Sequence, residues 1–177
     1  MIRMQNNFDQ SLQDLLQDEG GFVNNPKDPG GMTNLGVTKA TWEAYVGHPV
    51  SEKEMQELTP AMVAPLYKKR YWDAVRADEL QAGLDYCVFD VAVNSGSGRA
   101  IKLLQTQVGT NPDGGFGSVT MAAVAQFSGE SLKMLINDYC NARLNFMKSL
   151  PAWATFGNGW TNRVNKVEKR ALEMVIL

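Results

Sequence analysis

Glu19-Gly-Gly-Phe22-Val-Asn-Asn-Pro-Lys-Asp28-Pro-Gly-Gly-Met-Thr33-Asn-Leu-Gly-Val-Thr38 is the stretch on which the reading of this chain turns. Upstream of it, Phe8, Leu12, Leu15 and Leu16 fall at i, i+4, i+7 and i+8, one apolar stripe of a helix, with Asn6 or Asn7 as its N-cap. Gly20 and Gly21 end that helix and leave Glu19 in its last turn. Asn24, Asn25, Pro26, Pro29, Gly30 and Gly31 cannot continue a helix, so the chain folds back and Asp28 can face Glu19 across a groove.

Two carboxyls and a hydroxyl set around a glycine-rich turn match the needs of acid/base cleavage of an acetal. The carbonyl dipoles at a helix end and the Phe22 ring both favour the neutral acid at position 19. Cleavage of a glycosidic bond needs such a proton for the departing oxygen while positive charge develops on the sugar. Glu19 is the candidate general acid, Asp28 the candidate base or charge stabiliser, and Thr33 the candidate holder of water or substrate. The same residues also fit a plain alternative: a solvated charge at a helix end, an Asp bonding its own turn, and a strand threonine.

The stretch closely resembles the EGGY-type signature of glycoside hydrolase family 108, which contains phage endolysins and bacterial muramidases once described as secretion activators. Later blocks are similar too: Tyr71-Trp72-Asp73, Asp85-Tyr86, Phe89 to Gly96, and Gly157 to Val164, so the resemblance runs from about residue 8 to 170. It implies a lysozyme-like fold and hydrolysis of the β-1,4 bond between N-acetylmuramic acid and N-acetylglucosamine in peptidoglycan, with Glu19 at the position of the family's catalytic glutamate. Phe22 stands where tyrosine is commoner and keeps the aromatic body. Asp28 and Thr33 resemble the partners in the Glu, Asp, Thr triad of phage lysozymes, with one residue fewer between them.

Composition is consistent with one well-packed domain: 177 residues, 44% hydrophobic and 20% charged. A net charge of −2 provides no footprint for nucleic acid. The single histidine, His48, lies between Gly47 and Pro49, which leaves histidine-based zinc, serine or cysteine chemistry almost no raw material. No cofactor or metal is expected. Cys87 and Cys140 sit among apolar residues and read as buried thiols. With no signal-peptide pattern and no long apolar run, the expectation is a monomer made in the cytoplasm without membrane insertion. It then reaches the periplasm or cell wall, where its partners are the glycan strands, through a holin or an export system.

The rest of the chain reads as helices around a central buried one, which makes the fold class mainly α, α+β, with a small irregular or β active-site region. Thr38 caps a helix to Val46 that Gly47 closes, Ser51 and Glu54 form a capping box, and Thr59-Pro60 opens a helix that Pro65 should kink. Tyr67, Tyr71 and Trp72 are candidates to stack on sugar rings, with core packing as the alternative. Gly83 to Val93 is almost wholly apolar and marks the buried helix. Asp90 within it needs an ionic anchor such as Arg99 or Arg143. Asn94 and Ser95 either bind acetamido and hydroxyl groups or simply end the helix.

Helices are further expected at 99–108, 118–127 (capped by Ser118), 130–149 and 162–176, with Pro151 to Trp160 as a connection. The Asn111-to-Thr120 turn is similar to that of small peptidoglycan-binding modules, with Phe116 plugging the helix pair. The organisation expected is a catalytic half at 8–94 and a helical, peptidoglycan-binding-like half at 95–177, packed as one lysozyme-like domain. Two other functions fit the motifs: a lytic transglycosylase, which needs only the acid/base glutamate, and a non-catalytic wall-binding or secretion-assisting module. Retaining or inverting stereochemistry stays open.

Overall fold

A computed structural model describes residues 5–28 and 30–176, so Pro29, one of the expected helix breakers, lies outside them. The chain is mainly helical with one small antiparallel sheet: α1 Gln5–Asp18, β1 Val23–Asn24, β2 Met32–Asn34, β3 Val37–Thr38, α2 Lys39–Val46, α3 Glu52–Gln56, α4 Pro60–Tyr67, α5 Leu84–Ser95, α6 Ser97–Val108, α7 Ser118–Val124, α8 Gly129–Lys148 and α9 Trp153–Met174. It divides into two compact units, Asp9–Arg70 and the chain from Tyr71 onward together with the start of α1 as far as Phe8. The division falls upstream of the 94–95 boundary expected from sequence, because α5 packs against α6, α8 and α9.

In the Asp9–Arg70 unit, short polar signals set the element boundaries. The Thr38 hydroxyl accepts from the Thr41 N–H at 3.1 Å, and Gly47 closes α2 in the left-handed region with its N–H on Glu43 O. Ser51 and Glu54 form the reciprocal capping box, and Thr59 caps α4 with Pro60 at its first position. Pro65 removes one intrahelical donor, yet the chain stays helical past it and loosens into a π turn at Lys68–Trp72. α1 begins at Gln5, which places Asn6 and Asn7 inside the helix rather than before it, and the Asn7 amide donates to Asp85 Oδ2 at 2.5 Å.

The second unit is built around α5, which is buried from Leu84 to Ala92. Gly83 starts it at φ +97°, and a side chain there would run into the Ala171 carbonyl of α9, so the close helix approach requires glycine. Asp85 caps its own helix, Oδ1 accepting from the N–H groups of Gly83 and Tyr86. Asp90 is anchored as expected by Arg143 Nη1 at 2.6 Å, and also by Arg163 Nη2 at 3.0 Å. Arg99 lies instead over the Phe146 ring. The thiols of Cys87 and Cys140 are free, buried and 3.9 Å apart.

Two local expectations are corrected here. α9 starts at Trp153 rather than 162, since Trp153, Phe156 and Trp160 stack along one side of it and offset the roughly 1 kcal/mol that each interior glycine costs a helix. Ser118 does not cap α7: Gly117 occupies the cap position without a side-chain bond. Among the described residues no helix is long and apolar enough to cross a membrane.

Candidate active site

The site is assembled on the hairpin of the Asp9–Arg70 unit. β1 pairs antiparallel with β2, Val23 opposite Thr33 and Asn24 opposite Met32. β2 then pairs with β3, Thr33 opposite Thr38 and Asn34 opposite Val37. Only Leu35 and Gly36 connect β2 to β3, at φ +52° and +74°. Positive φ at both central residues is the tight hairpin turn whose twist matches that of the strands, and glycine carries its second position at no steric cost.

Glu19 follows the last residue of α1, its N–H still bonded to Leu15 O at 3.3 Å, and is half-buried. Its carboxyl lies over the α-carbon of Gly36: a methyl group built there would sit 3.1 Å from Glu19 Oε2 and 2.6 Å from the Tyr67 hydroxyl. Tyr67 in turn donates to Leu35 O at 2.8 Å, which ties the end of α4 to the hairpin turn. The turn is thus fixed from one side by the phenol, and Gly36 leaves the space the carboxyl fills. Tyr67 itself is 1% exposed, so it supports the turn rather than stacking on a sugar.

Asp28 is exposed in the turn before β2, and Oδ1 accepts from the Gly30 N–H at 2.9 Å while Gly31 N–H bonds its carbonyl. The carboxylate therefore holds its own turn, as the plain alternative has it. Thr33 is half-buried at the centre of the sheet. Strand alternation puts it on one face with Val23 and Thr38, opposite Asn34, whose amide donates to Met55 O at 2.8 Å. Phe22 is half-buried next to β1. A groove of about 580 Å³ runs along α1 and α4, lined by Leu12, Leu16, Ala61 and Ala64, with Leu35 as one wall. That wall adjoins Gly36, on which the Glu19 carboxyl rests.

The remaining sequence candidates belong to the other unit. Trp72 is 0% exposed: its Nε1–H donates to Asp78 Oδ1 at 2.8 Å, and Phe8 and Phe89 meet its ring edge-on at 5.3 Å. It is a core residue and has no face for a sugar. Tyr71 is half-buried. Asn94 is exposed, with its amide turned back onto Asp90, donating to the backbone O at 2.9 Å and to Oδ2 at 3.4 Å; Ser95 is the last residue of α5. Sequence reasoning missed Gly36 as the support of the carboxyl, although a Leu-Gly pair between two short strand segments was the available signal. Among the described residues no three His, Cys, Asp or Glu side chains come together as a metal site would require.

Comparison with known proteins identifies the family and the fold. The family model described as glycosyl hydrolase 108 matches residues 12–96, which include the hairpin, Glu19 and α5. The solved structure of Brucella abortus SagA is similar over 96% of both chains, at 42% identity and a TM-score of 0.83. No curated protein matches the sequence. The mainly helical architecture with its three-stranded sheet fits the lysozyme-like α+β fold expected from sequence.

Proposed function

Since the chain belongs to the glycosyl hydrolase 108 family and is therefore a glycosidase, we propose that it is an N-acetylmuramidase that cuts the β-1,4 bond between N-acetylmuramic acid and N-acetylglucosamine of peptidoglycan. Glu19 gives its proton to the departing glycosidic oxygen, which lets the C–O bond break as positive charge spreads over the sugar ring. The observation that carries this reading is the seat of the carboxyl, set over Gly36 beside the Tyr67–Leu35 bond. A proton donor must be held in one place relative to the bond it cleaves, and a tight turn pinned by a buried phenol supplies that rigidity. Thr33, on the open face of the sheet, orients water or the substrate acetamido group, and Asp28 stabilises the developing charge. Phe22, Tyr71, Asn94 and Ser95 are proposed sugar contacts. The partners proposed with this reading are the glycan strands, reached through a holin or an export route in an endolysin-like role.

One observation favours a second reading. The Asp28 carboxylate is exposed and already accepts from Gly30, which suits a lytic transglycosylase needing no second carboxylate. Mass spectrometry of muropeptides released from purified walls separates the two. A reducing muramic acid end is expected; a 1,6-anhydro end would assign the transglycosylase instead. Release of neither product would leave the wall-binding module.

A further inference from the structure

Inside the helical unit two thiols touch, and neither has a part in the proposed chemistry. Cys87 on α5 and Cys140 on α8 are the two cysteines of the chain, 1% and 2% exposed, with their Sγ atoms 3.9 Å apart. Both belong to the unit that runs from Tyr71 onward, where α5 packs directly against α8. Three residues further along each helix stand Asp90 and Arg143, paired at 2.6 Å. Residues three apart share a helix face, so the thiol pair and the ion pair are consecutive rungs between the same two helices.

The surroundings fix that register. Arg163 of α9 also holds the Asp90 carboxylate, at 3.0 Å, and Tyr139, beside Cys140, donates its hydroxyl to Ala100 O at 3.0 Å, which ties α8 to α6. The two sulfurs are therefore held face to face as the helices dock. A disulfide needs them about 2 Å apart, so each has about 1 Å to move. In the folded chain, however, nothing dissolved in water reaches them. The hydrogen bond between the thiols and burial together push the Cys87 thiol up, which leaves little of the thiolate that exchange requires. Exchange belongs to the stage at which α5 and α8 are still coming together.

We propose that Cys87 and Cys140 are a modification site: they close to a disulfide while the chain folds in the presence of a small-molecule disulfide, and stay as thiols when it folds without one. One cysteine thiolate attacks the donor disulfide, whose S–S bond breaks and releases one donor thiolate. The second cysteine thiolate then attacks the sulfur bound to the first, forming the protein disulfide and expelling the other donor thiolate. Two protein thiols are oxidised, one donor disulfide is reduced to two thiols, and the two protons pass to those thiols. Packing seals whichever state has formed. A chain moved between compartments after folding thus keeps its thiols, whereas one that folds in an oxidising compartment is stapled from α5 to α8.

The test refolds the full chain from denaturant, after reduction, into buffer containing oxidised and reduced glutathione, followed by acid quench, alkylation and intact mass. The main product should be a monomer lighter by two hydrogen atoms, with a peptide map joining Cys87 to Cys140. Its unfolding midpoint should lie about 5–10 °C above that of the chain refolded in reductant, because the staple closes a long loop in the unfolded state. Chain that is already folded and reduced should oxidise at least about tenfold more slowly in the same buffer. Cys140→Ala should give no such product and one midpoint in both buffers. Glutathione adducts or covalent dimers as the main product would overturn the proposal, as would an oxidised monomer melting no higher than the reduced one. Oxidation of folded chain as fast as refolding chain would overturn it too. None of these readouts depends on glycan cleavage, so the muramidase reading stands or falls separately.

Discussion

Gly36 and Tyr67 show how much of the proposed active site depends on residues that take no part in the proton transfer. Gly36→Ala adds a methyl group at φ +74°, 2.6 Å from the Tyr67 oxygen and 3.1 Å from Glu19 Oε2. We expect about 1–2 kcal/mol of lost stability from the backbone strain. We also expect at least a tenfold fall in kcat with KM little changed, because the carboxyl is displaced while the sugar contacts remain. Steady-state kinetics beside urea unfolding checks both; wild-type kcat in a destabilised Gly36→Ala would show that the turn does not position Glu19. Tyr67→Phe removes the bond to Leu35 O and should cost about 1 kcal/mol. Glu19 was legible in the sequence because a helix-ending Gly-Gly follows it directly. Its seat was not, because Gly36 and Tyr67 are 17 and 48 positions away and only the folded hairpin brings them together. Trp72 was misjudged for a related reason: an aromatic run has the same pattern whether it faces a cleft or the core, and only burial against Phe8 and Phe89 decides.

At the scale of elements, α5 carries two buried carboxylates whose environments act in opposite directions. Burial pushes Asp85 up to about 6, against the bonds it accepts from Asn7, Tyr86 and Gly83. Burial also opposes ionisation of Asp90, but the charges and hydrogen bonds of Arg143 and Arg163 outweigh it and hold the carboxyl below its ordinary value. A raised folded value means that the Asp85 contribution is present in full below the unfolded value near 4 and is lost as pH rises through about 6. For Asp90 the contribution is present above the unfolded value and is lost as pH falls through the lower folded one. Between about pH 4 and 6, Asp85 should therefore lower stability by about 2–3 kcal/mol as pH rises, and Asp85→Asn, with the Asn7 amide flipped to accept, should flatten that slope. Urea unfolding at pH 4.5 and 7 measures it; an unchanged slope in the variant would assign the effect elsewhere. Arg143→Met, which strands Asp90 beside Arg163 alone, should cost about 3–5 kcal/mol. The caps of α2, α3 and α4 were readable because each is local chemistry at fixed spacing. The start of α9 was not, because stacking between Trp153, Phe156 and Trp160 overrides the loop signal of Gly157-Asn158-Gly159.

For the whole molecule, a net charge of −2 faces an anionic polymer. Attraction then rests on local cations and on stacking, and general repulsion is screened by salt. Clearing of cell-wall suspensions should accordingly hold steady or rise between about 0.05 and 0.2 M salt; a steep fall would indicate dependence on basic patches such as Lys68, Lys69 and Arg70. The family was legible in the sequence because its motifs are spread over both units in order, whereas the division at Arg70–Tyr71 follows from how α5 packs and has no sequence marker. We propose that one carboxyl, held on the β2–β3 turn, donates the proton that breaks the glycan. Muropeptide release from purified walls by wild type and Glu19→Gln, with matched thermal unfolding, tests it most directly. Reducing muramic acid ends are expected from the wild type, with at least a thousandfold less product from an equally stable Glu19→Gln, in keeping with the loss of an essential proton donor. Substantial turnover by that folded variant would contradict it.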